Sequence, residues 1–352
     1  MFDIKNKRVL LCPLNWGLGH ACRDIPVIES LISSNNEIIL GGYGASGKLL
    51  KERFPKLKYL HFNSYSIRYS NSENQVFALL FQLPKIIYWI LFEHFAVKKI
   101  CRQQKIELII SDCRYGLWNK KVKSVFITHQ LALKLPFSQG FLYTLANMVN
   151  RWLIAKFDAT WVPDYIDMNN SLAGELSHPP YTIQKLTYLG ILSRFNNKNR
   201  RNSRLKKEID ILFILSGPEP HRSIFEEIIK KELLKTGIIG VIVQGKVGKA
   251  DQKSLGNTTI HSFKSDSELL DLVARSKYII CRSGYSSVMD IACLGVNALF
   301  VPTPGQTEQE YLAEYLFSKK AFPWCKQSEF KLDKILHQLE DWRFNSKQSK
   351  CN

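Results

Sequence analysis

The sequence predicts an α/β protein with two Rossmann-like, doubly wound domains that face each other across a cleft. Each half of the chain begins with a short apolar run, a glycine-containing turn and an apolar-periodic helix, first from residue 8 and again from residue 209. A length of 352 residues also exceeds what one ordinary core accommodates, which favours two domains.

The first half alternates apolar strands with helices. Apolar runs predict strands at residues 8–14, 37–40, 107–112, 123–128 and 158–162, with a helix at about 23–33 after the first strand. The turn between them contains Gly17 and Gly19, but it lacks the third glycine of a dinucleotide fingerprint and the lysine of a P-loop. His20 follows this turn, and from the residues alone catalysis and helix capping are equally open for it.

Polar side chains also follow two other strands of the first half. Asp112 ends the strand at 107–112, and His129 follows the strand at 123–128. The carboxyl ends of parallel strands meet at one edge of a sheet, where ligands bind. Asp112 and His129 are therefore candidates for the acceptor side of a site.

The second half repeats the pattern, and residues 281–311 have the layout of a ligand site. A strand at 277–281 leads into the turn Arg282-Ser283-Gly284 and a helix, and a second strand at 298–301 leads into a polar loop. The positive N-terminus of that helix suits a pyrophosphate, and Asp290 within it can accept hydrogen bonds from sugar hydroxyls. An ordinary βαβ crossover with a capped helix is the alternative interpretation.

Charge and aromatic content indicate the partners. The net charge of +18 favours anionic ones. Residues 76–97 and 135–153 are rich in apolar and aromatic side chains and are flanked by Lys and Arg, which is typical of helices that contact an anionic membrane surface. Packing of these helices on the sheet is the alternative. Polar interruptions make 76–97 a poor membrane-spanning helix.

Several kinds of chemistry lack their motifs. The chain has no metal-binding motif, no Gly-x-Ser-x-Gly elbow and no nucleic-acid-binding motif, so we predict no metal, no cofactor and no nucleic-acid partner. The eight cysteines form no CxxC pair and the first residues do not read as a secretory signal. We therefore expect reduced thiols in a cytoplasmic protein, peripheral on the inner face of the cytoplasmic membrane.

With both halves in place, the chain resembles the GT-B glycosyltransferases. More narrowly, it is similar to the MurG-like family, which adds N-acetylglucosamine to an undecaprenyl-linked peptidoglycan precursor. The likeness is strongest over residues 277–311, recognisable over 8–33 and faint between them. It implies metal-independent, inverting transfer of a hexose or N-acetylhexosamine from a nucleotide sugar, UDP-linked, to an acceptor glycan or lipid-linked substrate.

The resemblance also implies a donor side. The family's Arg-x-Gly turn leads into an acid that holds the ribose, here Asp290, and two adjacent Gln that read the sugar, here Gln309-Glu310 with a glutamate replacing the second. Arg194 stands at the family's phosphate-binding arginine and Phe263 where the uracil is read. The other donor-side residues implied are Gly17, Gly19, Ser216, Gly217, Arg282, Ser283, Gly284 and Ser286.

In the same family the first glycine loop ends in Gly-His, which makes His20 the candidate catalytic residue, either taking a proton from the acceptor hydroxyl or positioning acceptor and phosphate. The predicted domains are an acceptor- and membrane-facing domain (1–192), a linker (193–207), a nucleotide-sugar-binding domain (208–326) and a C-terminal helix with a polar tail (327–352). Two alternatives stay open. One is a nucleotide-sugar epimerase or hydrolase of the same fold, which would use acids such as Glu219, Glu308 and Glu310; the other is a non-catalytic nucleotide-sugar-binding protein.

Overall fold

A computed structural model describes residues 4–64, 75–135, 140–195, 206–217, 219–246 and 251–348 of the chain. The chain divides into two compact units, residues 1–194 and 195–352. The finer limits predicted for the linker and the polar tail stay predictions, because residues 196–205 and 349–352 lie outside the described part.

One parallel sheet of seven strands lies at the centre of the first unit. Its order is β3-β2-β1-β4-β5-β6-β7, where the strands are β1 (Arg8–Pro13), β2 (Glu37–Gly42), β3 (Lys58–His61), β4 (Leu108–Asp112), β5 (Lys123–Ile127), β6 (Ala159–Val162) and β7 (Leu186–Tyr188). The helices are α1 (Gly19–Ser33), α2 (Gly44–Arg53), α3 (Gln75–Gln104) and α4 (Phe141–Ile154). The central strands read as continuous apolar runs because helices cover both faces of the sheet.

The direction of each crossover decides which face a helix covers. The connections through α1 and α2 run one way along the sheet, and those through α3 and α4 run the other way. Since parallel crossovers are right-handed, α1 and α2 cover one face and α3 and α4 cover the opposite face. Helix α3 packs Val97 and Cys101 into the core beneath it.

Helices α3 and α4 also turn apolar side chains to solvent. We call these residues the apolar face; they are Leu83, Ile87, Tyr88, Leu91, Phe92 and Phe95 on α3, and Phe141, Leu142, Leu145, Met148, Val149 and Trp152 on α4. The most exposed are Phe141 (78%) and Phe95 (67%). Within the described ranges, no helix combines the length and apolar character needed to cross a membrane.

The second unit has a sheet of six strands in the order β10-β11-β9-β8-β12-β13. They are β8 (Ile209–Ile214), β9 (Gly240–Val243), β10 (Gln252–Leu255), β11 (Thr258–His261), β12 (Ser276–Cys281) and β13 (Ala298–Phe300), and β10 alone among these is antiparallel to its neighbour. The helices are α5 (His221–Leu233), α6 (Asp266–Arg275), α7 (Tyr285–Leu294), α8 (Thr307–Ser318) and α9 (Leu332–Gln348).

The predicted fold class of two Rossmann-like α/β domains is confirmed. The sequence missed β3, β7 and β10, which are edge strands of three or four residues. Edge strands are short and often polar, so they lack the apolar run that marked the central strands. Helix α1 also begins earlier than predicted, at Gly19, which places His20 in its first turn.

Candidate active site

The first unit has its topological switch point between β1 and β4. The chain leaves β1 toward β2 on one side, whereas β4 pairs with β1 on the other side and sets Pro13 opposite Asp112. A crevice opens at the carboxyl ends of two strands whose connections part in this way, and ligands of α/β proteins bind there. The loop after β1 and the end of β4 therefore form the candidate site of this unit.

The loop after β1 is held in a defined shape. Gly17 has a φ of 74°, a left-handed conformation that glycine adopts without strain. Ser46 donates from its Oγ to the carbonyl of Gly17 at 2.7 Å and from its N–H to Asn15 Oδ1 at 3.1 Å. These bonds tie the loop to the start of α2 and lead the chain into α1 just ahead of His20.

His20 and Asp112 form a hydrogen-bonded pair at this edge of the sheet. The His20 Nδ1 lies 3.0 Å from the Asp112 Oδ2. The side chain of Asp112 is fully buried, whereas 14% of the His20 side chain is exposed. The imidazole is thus the member of the pair that a substrate can reach. Asp112 thus lies behind His20, and its assignment to the acceptor side stays a prediction.

Arg23 fixes the charge of Asp112. It lies one helical turn after His20, donates from Nε to Asp112 Oδ2 at 2.9 Å, and donates from Nη2 to Oδ1. Burial opposes the ionisation of Asp112, but Arg23 and His20 outweigh it and hold the pKa of this carboxyl well below its usual range. Asp112 is therefore an anion at neutral pH.

The protonation of His20 follows from that charge. A carboxylate only accepts hydrogen bonds, so the contact with Asp112 favours the tautomer in which Nδ1 of His20 carries the proton. The Nη2 of Arg23 lies 2.8 Å from the same Nδ1 and 3.3 Å from the sulfur of Cys113, to which its second N–H can donate. The Nε2 of His20 then holds the lone pair that a general base needs.

His129, the other predicted acceptor-side residue, is buried just after β5. Its Nδ1 lies 3.3 Å from Nη1 of Arg23 and accepts from it. The structure thus brings His20, Asp112 and His129 together around one guanidinium.

Three groups that could ligate a metal also meet here. The ligand atoms of His20, Asp112 and Cys113 lie within 4.8 Å of one another. Arg23, however, is within bonding distance of all three, and its fixed positive charge opposes a second cation. Burial also raises the pKa of the Cys113 thiol to about 12, which keeps it protonated and a poor ligand.

The second unit has its switch point between β8 and β12. Strand β9 pairs with β8 on one side and β12 pairs with it on the other. Ser216 and Gly217 follow β8, and Gly217 has a φ of 100°. Gly284 follows β12 as the N-cap of α7, where no side chain caps the helix. A helix that starts at such an edge directs its positive end toward the site, as phosphate sites require.

The remaining predicted residues of α7 lie along the same helix. Ser286 is the second residue of α7 and Asp290 is one turn further on, both partly buried. Their positions suit the donor contacts predicted from the sequence.

Arg282 and Ser283 contact the protein itself. Arg282 is 1% exposed, and its guanidinium donates to the carbonyls of Val301, Pro302 and His221 and to Oε1 of Gln327. Ser283 is fully buried and donates to the carbonyl of Gln309 at 2.7 Å. These two side chains thus bond to other groups of the second unit, and the donor contacts predicted for them stay predictions.

The loop between β13 and α8 is built from its own side chains. Gln309 is 8% exposed, its Oε1 accepts from the N–H of Thr303 at 2.9 Å, and its Nε2 donates to Gln306. The Oε1 of Glu310 accepts from the N–H of Gly305 at 2.9 Å. Both residues predicted to read the sugar therefore also determine the shape of the loop.

Comparison with known proteins agrees with this geometry. Residues 211–352 match the model of the glycosyltransferase family 28 C-terminal domain. The chain is a glycosyltransferase of the GT-B fold that is similar to the MurG-like family. An uncharacterized glycosyltransferase of Methanosarcina acetivorans is 23% identical to it, over 97% of this chain and 92% of the relative.

Two further comparisons, one of sequence and one of structure, gave similar results. The UDP-N-acetylglucosamine--N-acetylmuramyl-(pentapeptide) pyrophosphoryl-undecaprenol N-acetylglucosamine transferase of a Sulfurihydrogenibium species is 25% identical over 47% of this chain and 48% of its own length. The crystal structure of Acinetobacter baumannii MurG aligns with a TM-score of 0.57 and 14% identity, covering 96% of this chain and 92% of that one. The predictions of a GT-B fold and of a glycosyltransferase are confirmed.

Two other predicted donor residues do not directly follow a strand of either switch point. Phe263 is partly buried after β11, and β9 separates β11 from β8. Arg194 is the last residue of the first unit and is partly buried. Their donor contacts stay predictions.

Arg23 was not among the predicted site residues, although it lies at the centre of the first cluster. The spacing from His20 could have identified Arg23. Residues three apart on a helix share one face, and His20 was already predicted to lie at the sheet edge. A buried arginine on an otherwise apolar helix face requires an anionic partner, which Asp112 provides.

Proposed function

We propose that this glycosyltransferase moves a hexose or N-acetylhexosamine from a UDP-sugar to a hydroxyl group of a lipid-linked acceptor, with His20 as the general base. The observation that carries the proposal is the 3.0 Å contact between His20 Nδ1 and Asp112 Oδ2. In the neutral imidazole with its proton on Nδ1, Nε2 is the nitrogen that can accept a proton. Removal of the acceptor proton during attack is the task for such a nitrogen.

The chemical step follows from this assignment. The acceptor oxygen forms a bond to the anomeric carbon while its proton passes to His20 Nε2. The bond from the anomeric carbon to the diphosphate oxygen breaks, and UDP leaves with the electron pair. Asp112 stabilises the imidazolium that forms. Attack opposite to the leaving diphosphate inverts the anomeric configuration.

The second unit supports the donor side of the proposal. The positive end of α7, which begins at Tyr285, suits the charge that grows on the leaving diphosphate. Asp290 on that helix is proposed to hold the ribose, and Glu310 to accept a hydrogen bond from a sugar hydroxyl. A UDP-linked donor is also the one in the printed name of the Sulfurihydrogenibium relative.

The apolar face of α3 and α4 supports a lipid-linked acceptor. Lysines lie over two of its rings, with Lys98 Nζ 5.3 Å from the centre of Phe95 and Lys156 Nζ 4.0 Å from that of Trp152. Residues 75–156 contain twelve Lys and Arg against three Asp and Glu. Apolar and basic side chains together are what binds an anionic membrane surface. We accordingly propose peripheral attachment to the cytoplasmic face of a membrane.

A panel of nucleotide sugars tests this function. Thermal unfolding is measured with UDP-, GDP-, TDP- and CDP-linked sugars, and the UDP-linked members are expected to raise the Tm selectively because they bind the folded state. The stabilising donor is then incubated with membrane extract and alone. Transfer to lipid supports the proposal. Isomerised or hydrolysed sugar from donor alone would favour the epimerase or hydrolase, and no stabilisation by any member contradicts the proposal.

A further inference from the structure

Asp24 is a buried acid beside the His20 cluster with no role in the reaction described above. It follows Arg23 in α1, and its side chain is 0% exposed. Among the described residues, no donor group hydrogen-bonds to either of its carboxyl oxygens, and Asp112 is the acid beside it. An ionised carboxylate buried in this way is very unfavourable, and buried polar groups of native proteins are nearly always paired.

The titratable groups that face Asp24 explain how this acid can be buried. They come from Cys12 on β1, from Arg23 on its own helix and from Asp112 on β4. The guanidinium of Arg23 already donates two hydrogen bonds to Asp112. Burial raises the pKa of the Cys12 thiol to about 12, so that group is neutral. One cation thus faces two acids and is bonded to only one of them.

We propose that Asp24 is a protonated positioning residue: the two buried carboxyls carry one negative charge between them, and the neutral state of Asp24 keeps that charge on Asp112, where it orients His20. The inference rests on the proposed role of His20. Burial first, and the Asp112 carboxylate second, raise the pKa of Asp24 well above its usual value, in agreement with the geometry.

A second anion at Asp24 would disturb the cluster. It would compete with Asp112 for Arg23, whose Nη2 also lies 2.8 Å from His20 Nδ1. Ionisation of Asp24 at alkaline pH is therefore expected to weaken the hold of Asp112 on the imidazole. Turnover should decline as that ionisation proceeds, and Asp24→Asn should move this alkaline decline to higher pH.

Infrared spectroscopy of the full-length protein, labelled with carboxyl-¹³C aspartate, tests the protonation directly. We expect the carbonyl stretch of a protonated aspartic acid at pH 7.5, absent from Asp24→Asn and retained in Asp164→Asn. Asp164 is the matched control because it is equally buried but accepts from the N–H groups of Tyr165 and Leu172 and from Ser171. A wild-type spectrum without a protonated aspartate at pH 7.5 overturns the inference, even if Asp24→Asn fails to fold.

The pH dependence of stability gives a second readout that does not depend on activity. Asp24 ionises near pH 4 in the unfolded chain, whereas it keeps its proton in the folded chain. The contribution of Asp24 to the free energy of unfolding therefore falls as the pH rises above about 4. Relative to wild type, Asp24→Asn should gain roughly 3 °C or more in Tm at pH 7.5 and nothing near pH 4. A difference in Tm that is constant with pH contradicts the inference. Failure of the base assignment would appear separately, as unchanged turnover of His20→Ala.

Discussion

The Nδ1 of His20 lies 3.0 Å from Oδ2 of Asp112, and the two residues reach that distance from different elements, the first turn of α1 and the last residue of β4. Because β1 and β4 are neighbours in the sheet, the pair depends on the topology and not on proximity in the sequence. The carboxylate determines which imidazole nitrogen holds a proton, and so which one can accept another.

Replacing His20 by Ala should remove the proposed base and leave the donor side intact. We expect turnover to fall by about 10²- to 10⁴-fold, the usual contribution of general base catalysis. UDP binding, measured by calorimetry, should be unchanged. His337→Ala is the control, since His337 is 79% exposed on α9. If His20→Ala turns over like wild type, His20 is not the base.

Arg23→Met should destabilise the first unit, because it leaves the buried Asp112 without its cation. Breaking a buried ion pair costs about 3–5 kcal/mol, against less than about 1 kcal/mol for the surface control Arg275→Met. Urea denaturation at pH 7 measures both. A loss for Arg23→Met no larger than that of the control would show that the pair contributes little.

Arg23→Met should also change how steeply the free energy of unfolding decreases at acid pH. Arg23 and His20 lower the pKa of Asp112, so this carboxyl stabilises the fold above the unfolded pKa of about 3.9 and loses that contribution as the pH falls below it. Without Arg23 the pKa is no longer depressed to the same extent. The wild type should therefore lose more stability between pH 5 and pH 3 than Arg23→Met, and an equal loss would contradict the argument.

Glu310→Gln restores the pair of glutamines that the MurG-like family uses to read the sugar. Its amide oxygen can still accept from the N–H of Gly305, so the loop should keep its shape. We expect the Kd for UDP-N-acetylglucosamine to fall by about 10-fold, the effect of one good hydrogen bond. Glu314→Gln, one turn later in α8, is the control. Equal affinity for this donor in wild type and both variants would show that Glu310 does not take part in sugar recognition.

Removing bulk from the apolar face should release the protein from anionic vesicles. The double variant Phe95→Ser and Trp152→Ser takes away two side chains that are 67% and 59% exposed, so the folded state should be little affected. We expect at least a 10-fold weaker partition onto vesicles that contain phosphatidylserine, measured by sedimentation, and a further loss at high salt. Ile224→Ser with Leu234→Ser, on the second unit, should bind like wild type. Equal binding of all three proteins would place the membrane contact elsewhere.

The sequence predicted the parts of the fold that rest on buried apolar runs. The central strands and the helices that follow them were recognised because a strand covered on both faces must be apolar throughout. The edge strand Gln252–Leu255 was not, because it is largely exposed and polar. His20 and Asp112 were both proposed, but their contact requires the strand order, which single-sequence patterns do not contain.

Two predicted donor residues show what a sequence motif leaves open. Arg282 and Ser283 stand in a motif that resembles a ligand-binding turn, yet their side chains satisfy carbonyl groups of the same unit. A motif fixes the residue type and the backbone path, and the direction of a side chain depends on which acceptors the rest of the fold leaves unpaired. Asp24 and Arg23 were overlooked for the converse reason. A polar residue in a predicted helix is expected to face solvent, and only the packing shows that these two are buried.

The bonds from Gln309 to Thr303 and from Glu310 to Gly305 have a consequence for engineering and for evolution. A substitution at either position that removes the accepting oxygen also removes a hydrogen bond that shapes the loop, whereas Glu310→Gln retains it. Variants with new donors are expected to arise as paired changes, one at the reading residue and one at its loop partner. Libraries that randomise residues 303–310 together should therefore yield new specificities that position-by-position scanning misses.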